Sequence, residues 1–223
     1  MQNKNIILLS GVDTSDNIEA LKYIKEKYPK LKKVCYIPAE IHDSEDEIKQ
    51  ALKDFKKYVK ATRFEIAALE NESTASVKKK IETSDILFLG GGNTFHFFDN
   101  IKKKGLASTF KKHLKNKKMI IGLSAGGIVL TPSLMMACFP SKDADECNIQ
   151  RKDFKALNLL PFEVCPHYKN SKNMIKDLLA YSSLHNPPLY GIKDGDFIAV
   201  GDEGVYFSNK TALFFHGEKV QFI

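Results

Sequence analysis

Short aliphatic and β-branched runs separated by longer stretches of helical spacing fill the first 125 residues, and this alternation constrains the fold most tightly. Asn5 to Leu9, Lys33 to Ile37, Arg63 to Ala67, Ile86 to Leu89 and Met119 to Gly122 read as strands. Between them, Asn17 to Tyr28, Glu45 to Ala61, Thr74 to Glu82 and Leu106 to Lys115 carry apolar residues at helical intervals, as in Ile48, Leu52, Phe55 and Val59. Strands that recur with a helix between them pair in parallel, because each crossover returns the chain to the same end of the sheet. The expected class is therefore α/β, a doubly wound, mainly parallel sheet with helices on both faces.

Beyond Pro132 the pattern changes. Met135 to Lys152 is poorly periodic, Phe162 to Cys165 reads as a short strand, and Asn173 to Tyr181 as a helix. From Leu189 to Ile223 short runs alternate with turn signals such as Lys193-Asp194-Gly195 and Gly201-Asp202-Glu203-Gly204. These predict C-terminal antiparallel hairpins that extend one edge of the sheet. A hydrophobic content of 43% in 223 residues supplies one core without staples, so residues 1–223 are expected to form a single domain.

Apolar runs such as Ile6 to Leu9 fall far short of the roughly 20 residues that span a bilayer. The N-terminus reaches a charged, helix-like segment by Glu19 without an export-type apolar core. A cytoplasmic location without a membrane partner is expected. The four cysteines, Cys35, Cys138, Cys147 and Cys165, show no paired spacing, and none of the six histidines sits in a zinc-type pattern. Reduced thiols, no metal and no cofactor are expected. The charge of +7 comes almost wholly from lysine, with only Arg63 and Arg151 able to form planar bidentate forks. Lysine runs on amphipathic helices are solvated faces, so no nucleic-acid partner is expected.

Two glycine-rich turns carry the chemistry, and each follows an apolar strand, which places both at the carboxyl edge where parallel sheets bind ligands. The second turn reads Gly122-Leu123-Ser124-Ala125-Gly126-Gly127, between Met119-Ile120-Ile121 and Ile128-Val129-Leu130. This is nucleophile-elbow spacing, in which a tight strand-to-helix turn holds the serine in strained geometry and tolerates only small neighbours. The first turn, Gly90-Gly91-Gly92-Asn93-Thr94, lacks phosphate-loop and dinucleotide spacing and instead suits an oxyanion hole or substrate-binding turn. Its donors would be Gly91 or an immediate neighbour, with Gly90 and Asn93 in the same turn, and the second donor the amide of Ala125.

A serine nucleophile needs a base. His113 lies among lysines, His42 and His185 in polar loops and His216 in a turn, all read as solvated; His96 is a pocket-lining candidate. His167, in Val164-Cys165-Pro166-His167-Tyr168, ends a strand at a sheet edge and is the favoured base, although a structural role fits its local sequence equally.

The run Ile86-Leu87-Phe88-Leu89-Gly90-Gly91-Gly92-Asn93-Thr94-Phe95, then Ile121-Gly122-Leu123-Ser124-Ala125-Gly126, then Ala156-Leu157-Asn158-Leu159-Leu160-Pro161 leading to Pro166-His167, closely resembles the peptidase E family of aspartyl dipeptidases. The resemblance spans almost the whole chain and is strongest between residues 84 and 168. It implies a class I glutamine-amidotransferase-like α/β fold with a Ser-His-acid triad, Ser124 as nucleophile and His167 as base. The third position is an acid before glycine, which falls on Asp194 in Gly191-Ile192-Lys193-Asp194-Gly195, where the family often carries Glu. Asp196 and Asp202 are the alternatives. A second departure follows the histidine, where the family has a longer, arginine-containing segment and this chain has none from Tyr168 to Ile175. The expected substrate is a short peptide without a requirement for N-terminal aspartate, and the expected assembly a monomer or homodimer. The rival functions are a cyanophycinase-like β-aspartyl exopeptidase, an esterase, and a catalytically inactive binding or regulatory relative. Cys–His chemistry through Cys165 is a further alternative, countered by the lack of an elbow or helix N-terminus beside that thiol.

Overall fold

In β1 (Asn5–Leu9), Ile6 and Leu8 enter one core and Ile7 and Leu9 the other. The strand is thus buried on both faces, as a central parallel strand must be. The same division recurs in β2 (Lys33–Ile37), β4 (Ile86–Leu89) and β5 (Met119–Leu123). These observations come from a computed structural model that describes residues 5–11, 17–30, 32–40, 63–139, 153–209 and 211–220. With β3 (Arg63–Ile66), β8 (Phe197–Gly201) and β9 (Gly204–Phe207), the strands form a seven-stranded sheet ordered β3-β2-β4-β5-β1-β8-β9. Strands β3, β2, β4, β5 and β1 pair in parallel, whereas β8 and β9 add on antiparallel.

Helix α1 (Ile18–Lys27) buries Ala20, Leu21 and Ile24 against one face of this sheet. Helices α2 (Thr74–Thr83), α3 (Thr94–Lys103) and α4 (Ala107–Lys115) cover the other with Val77 and Ile81, Phe97 and Ile101, and Phe110 and Leu114. The start of α2 is fixed by the Ser73 hydroxyl, which accepts the Ser76 amide at 3.2 Å. Helix α3 is absent from the spacing pattern because it is buried at Thr94, Phe95, Phe97, Phe98, Asn100 and Ile101 and offers no broad polar stripe. His113, expected in solvent, is only 3% exposed. It sits one turn after Phe110 on the core stripe of α4, and the lysines around it face out.

Contrary to expectation, the C-terminal strands do not all extend one edge of the main sheet. Only β8 and β9 extend the main sheet; β7 (Leu189–Gly191), β10 (Ala212–Phe215) and β11 (Glu218–Val220) join β6 (Glu163–Cys165) in a second, four-stranded sheet ordered β11-β10-β7-β6. Strand β6 runs parallel to β7, and the pairing continues past the strands because the Ile192 amide donates to Cys165 O at 2.9 Å. Helix α6 (Lys172–Leu184) seals this sheet with Met174, Leu178 and Tyr181 against Cys165, Leu189 and Phe214. The helix expected over Glu45 to Ala61 lies outside the described residues, as does most of the segment after the 3₁₀ turn Met135–Cys138. Among the described residues no helix is long and apolar enough to cross a membrane.

Candidate active site

The turn from β5 into α5 (Ala125–Ile128) places Ser124 at φ 49° and ψ −110°, a backbone region that costs a residue with a Cβ of order 1–3 kcal/mol. The small residues around it are dictated by contact. A Cβ on Gly122 would lie 2.5 Å from Gly126 O, and one on Gly126 would collide with the backbone of Leu89. The elbow is tied to its neighbours by the Ser124 amide donating to Leu9 O at 3.0 Å and the Gly126 amide donating to Gly90 O at 3.1 Å. The two glycine turns predicted to share an edge are therefore bonded to one another.

Strand β6 delivers His167, whose φ of 55° is left-handed, and the turn between β7 and β8 delivers Asp194. His167 Nε2 lies 2.9 Å from Ser124 Oγ, and His167 Nδ1 lies 2.7 Å from Asp194 Oδ1. With Nδ1 donating to the carboxylate, Nε2 is left as the acceptor facing the serine hydroxyl. The His167 and Asp194 side chains are 36% and 42% exposed, so the pair opens to solvent. Neither alternative acid takes this place. Asp196 accepts from Asn209 Nδ2 at 2.5 Å, and Asp202 lies in the β8–β9 turn beside an open cavity of about 710 Å³ lined by Asn5, Tyr28 and Tyr206. Cys165, the last residue of β6, is 1% exposed and packs among Met174, Leu178 and Tyr181 of α6. On that side, burial raises the Glu163 carboxyl above the usual carboxylate range and raises the Tyr181 hydroxyl, which donates to Glu163 at 2.5 Å.

The residues expected to line the oxyanion site divide. The Gly90 amide donates to Ile37 O at 2.9 Å, so it is spent in the sheet. The Asn93 side chain accepts the Phe95 and His96 amides at 3.0 Å and caps α3, while its own amide donates to Glu40 at 3.2 Å. Both residues build the turn without offering those groups to a ligand. Among the described residues no acceptor takes the amides of Gly91 or Ala125. A Cβ on Gly91 would lie 3.6 Å from Ser124 Cβ, so this residue stands next to the nucleophile. His96 pairs with Glu70 on the outside of α3. No cluster among the described residues has the ligands to hold a metal ion.

One residue at this edge has no place in the sequence expectations. Ser10 follows β1, is fully buried, and has its hydroxyl 2.9 Å from Asp194 Oδ1 and 2.6 Å from the His167 amide nitrogen. A polar residue closing the apolar run Ile6 to Leu9 at the carboxyl edge is the signal that would have found it.

A strained serine at a strand-to-helix joint, with an imidazole and a carboxylate in line behind it, defines an α/β serine hydrolase. The chain belongs to Peptidase family S51, which it matches over residues 6–208. It is 33% identical over 102 residues to an uncharacterized peptidase of Pasteurella multocida, a match that covers 46% of this chain and 48% of that one. It is 26% identical over 239 residues to Peptidase E of Nostoc sp., covering 98% and 92% of the two chains. The chain thus spans about half the length of one relative and nearly all of the other. A crystal structure of a putative peptidase E from Listeria monocytogenes superposes with a TM-score of 0.72 at 22% identity, over 92% of this chain and 98% of that one. A peptidase from an acI-B1 actinobacterium gives 0.70 at 14%, over 99% and 96%. Both likenesses speak to the fold.

Proposed function

We propose that the chain is a serine-type dipeptidase or exopeptidase that hydrolyses short peptides through an acyl-enzyme on Ser124. The observation that carries this is the single imidazole of His167 held between Ser124 Oγ at 2.9 Å and Asp194 Oδ1 at 2.7 Å. In this reading His167 Nε2 takes the hydroxyl proton as Ser124 attacks the scissile carbonyl, and Asp194 stabilises the imidazolium. The amides of Gly91 and Ala125 receive the oxyanion, His167 protonates the leaving amine, and water then releases the acyl group by the same steps in reverse.

The departure after His167 bears on substrate choice. A buried N-terminal aspartate carboxylate needs a cationic partner, and arginine supplies it best because its fork binds two oxygens. Among the described residues the one arginine, Arg63, opens β3 at the amino edge of the sheet, while Lys169 and Lys172 are exposed; Arg151 lies outside the described residues. The enzyme is therefore expected to cleave dipeptides with small or apolar first residues at least as well as aspartyl ones. Comparison of kcat/KM for Ala-Leu and Asp-Leu at equal pH and ionic strength tests this, and a preference for Asp-Leu of about 10²-fold would overturn it. A panel that adds β-aspartyl peptides and small esters separates the dipeptidase from the cyanophycinase-like and esterase readings. Turnover of none of them would favour the inactive relative.

A further inference from the structure

Three groups of the site converge on the last residue of β1 and the residue after it. Leu9 O accepts the Ser124 amide at 3.0 Å, Ser10 Oγ accepts the His167 amide at 2.6 Å, and the same hydroxyl lies 2.9 Å from Asp194 Oδ1. Ser10 Oγ also lies 2.9 Å from Ile192 O, yet the hydroxyl has one proton to give. Ile192 O already accepts the Tyr168 amide at 2.9 Å. An ionised carboxylate is the stronger acceptor, so the proton goes to Asp194. Each contact meets a need. His167 occupies a left-handed φ of 55° that its side chain disfavours, and Asp194, 42% exposed, is free to turn into water unless a second donor fixes Oδ1.

From this geometry we infer that Ser10 is a positioning residue for the reaction. It locks the acid and the backbone of the base to the central strand that also holds the nucleophile's amide, and so keeps the second sheet in register with the elbow. The inference rests on the triad reading above. Full burial makes the arrangement rigid, since Ser10 directly follows a strand packed on both faces.

The test follows the rate at which a fluorophosphonate probe phosphonylates Ser124 in wild type, Ser10→Ala, Asp194→Ala and the double variant, with Ser124→Ala as blank. Wild-type labelling that is no faster than the blank would overturn the triad reading itself, before any Ser10 variant is compared. Given labelling, Ser10→Ala is expected to slow it on the order of 10²-fold. The double variant should lose clearly less than the product of the two single losses, because the changes share the Asp194 carboxylate while Ser10→Ala alone also frees the His167 amide. Labelling of Ser10→Ala within about threefold of wild type, or losses that multiply in the double variant, would overturn the role of Ser10 and leave the triad intact. The downfield proton resonance of His167 Nδ1–H, assigned by its loss in Asp194→Ala, should also disappear in Ser10→Ala; its persistence unchanged counts against positioning. If Ser10→Ala does not fold, Ser10→Cys carries the same comparison, since its larger sulfur leaves no cavity and donates only weakly.

Discussion

Ser124 holds its backbone in a conformation that few residues with a Cβ adopt, and only the closing of the elbow around it keeps it there. Strain of this kind exposes the hydroxyl toward His167, so removing the hydroxyl alone should leave the fold and abolish the chemistry. Ser124→Ala is expected to stay folded and lose roughly 10³-fold or more in kcat against a cleaved dipeptide. His167→Ala should fall in the same range, and the double variant should lose little beyond either single one, because the pair acts as a unit. Losses that multiply would mean that the residues act separately. At this scale Ser124 was legible because glycine spacing encodes a steric requirement, and His167 because it ends a short apolar strand. Asp194 was only nominated by the resemblance, since an acid before glycine also makes an ordinary turn; its distance to His167 is set by the parallel pairing of β6 with β7, which continues past both strands. Ser10 was hidden because one serine after an apolar run carries no local pattern.

At the scale of elements, the joint between β5 and α5 is the most constrained piece of backbone in the site. Gly122 faces Gly126 O so closely that a methyl group would sit 2.5 Å away, and the obstructing atom is backbone that cannot swing aside. Gly122→Ala is therefore expected to open the elbow, lowering both the melting temperature and the labelling of Ser124. Gly201→Ala serves as the control, since a Cβ there meets only Tyr28 Oη at 3.6 Å, an ordinary contact, and its φ is not left-handed. If Gly122→Ala melts and labels like wild type, the steric account of the motif is wrong. The parallel strands could be read from the sequence because burial on both faces writes continuous apolar runs. The second sheet could not, since β6, β7 and β11 are three-residue strands whose choice of partner is fixed by the meeting of Tyr168 with Gly191 and by α6 packing behind them. Period alone says that a strand exists; it does not say beside which neighbour it lies.

For the molecule as a whole, the buried His113 links stability to pH. Its Nε2 donates to Met119 O at 3.1 Å, joining α4 to the start of β5. Burial, with the nearby Lys118 cation adding to it, lowers the imidazole from 6.5 to about 4. Above pH 6.5 neither the folded nor the unfolded chain protonates this residue and the stability is complete. Between 6.5 and about 4 the unfolded chain takes up a proton that the folded chain refuses, so stability falls as the solution is acidified. Below that window both states are protonated and His113 adds no further loss. A displacement of this size corresponds to about 3 kcal/mol of acid sensitivity from one side chain. Glu163 acts in the opposite sense, because burial raises its carboxyl and acidification removes the penalty of keeping it from ionising. A single unfolding curve therefore mixes the two, and the difference between variants is what isolates His113. His113→Gln stays neutral at every pH and retains an amide that can donate to Met119 O. Urea unfolding at pH 7 and pH 4.5 is expected to show wild type losing more stability than His113→Gln, while the contribution of Glu163, common to both proteins, cancels. Equal losses in the two proteins would mean that His113 is not the group through which acid loosens the packing of α4 on the sheet.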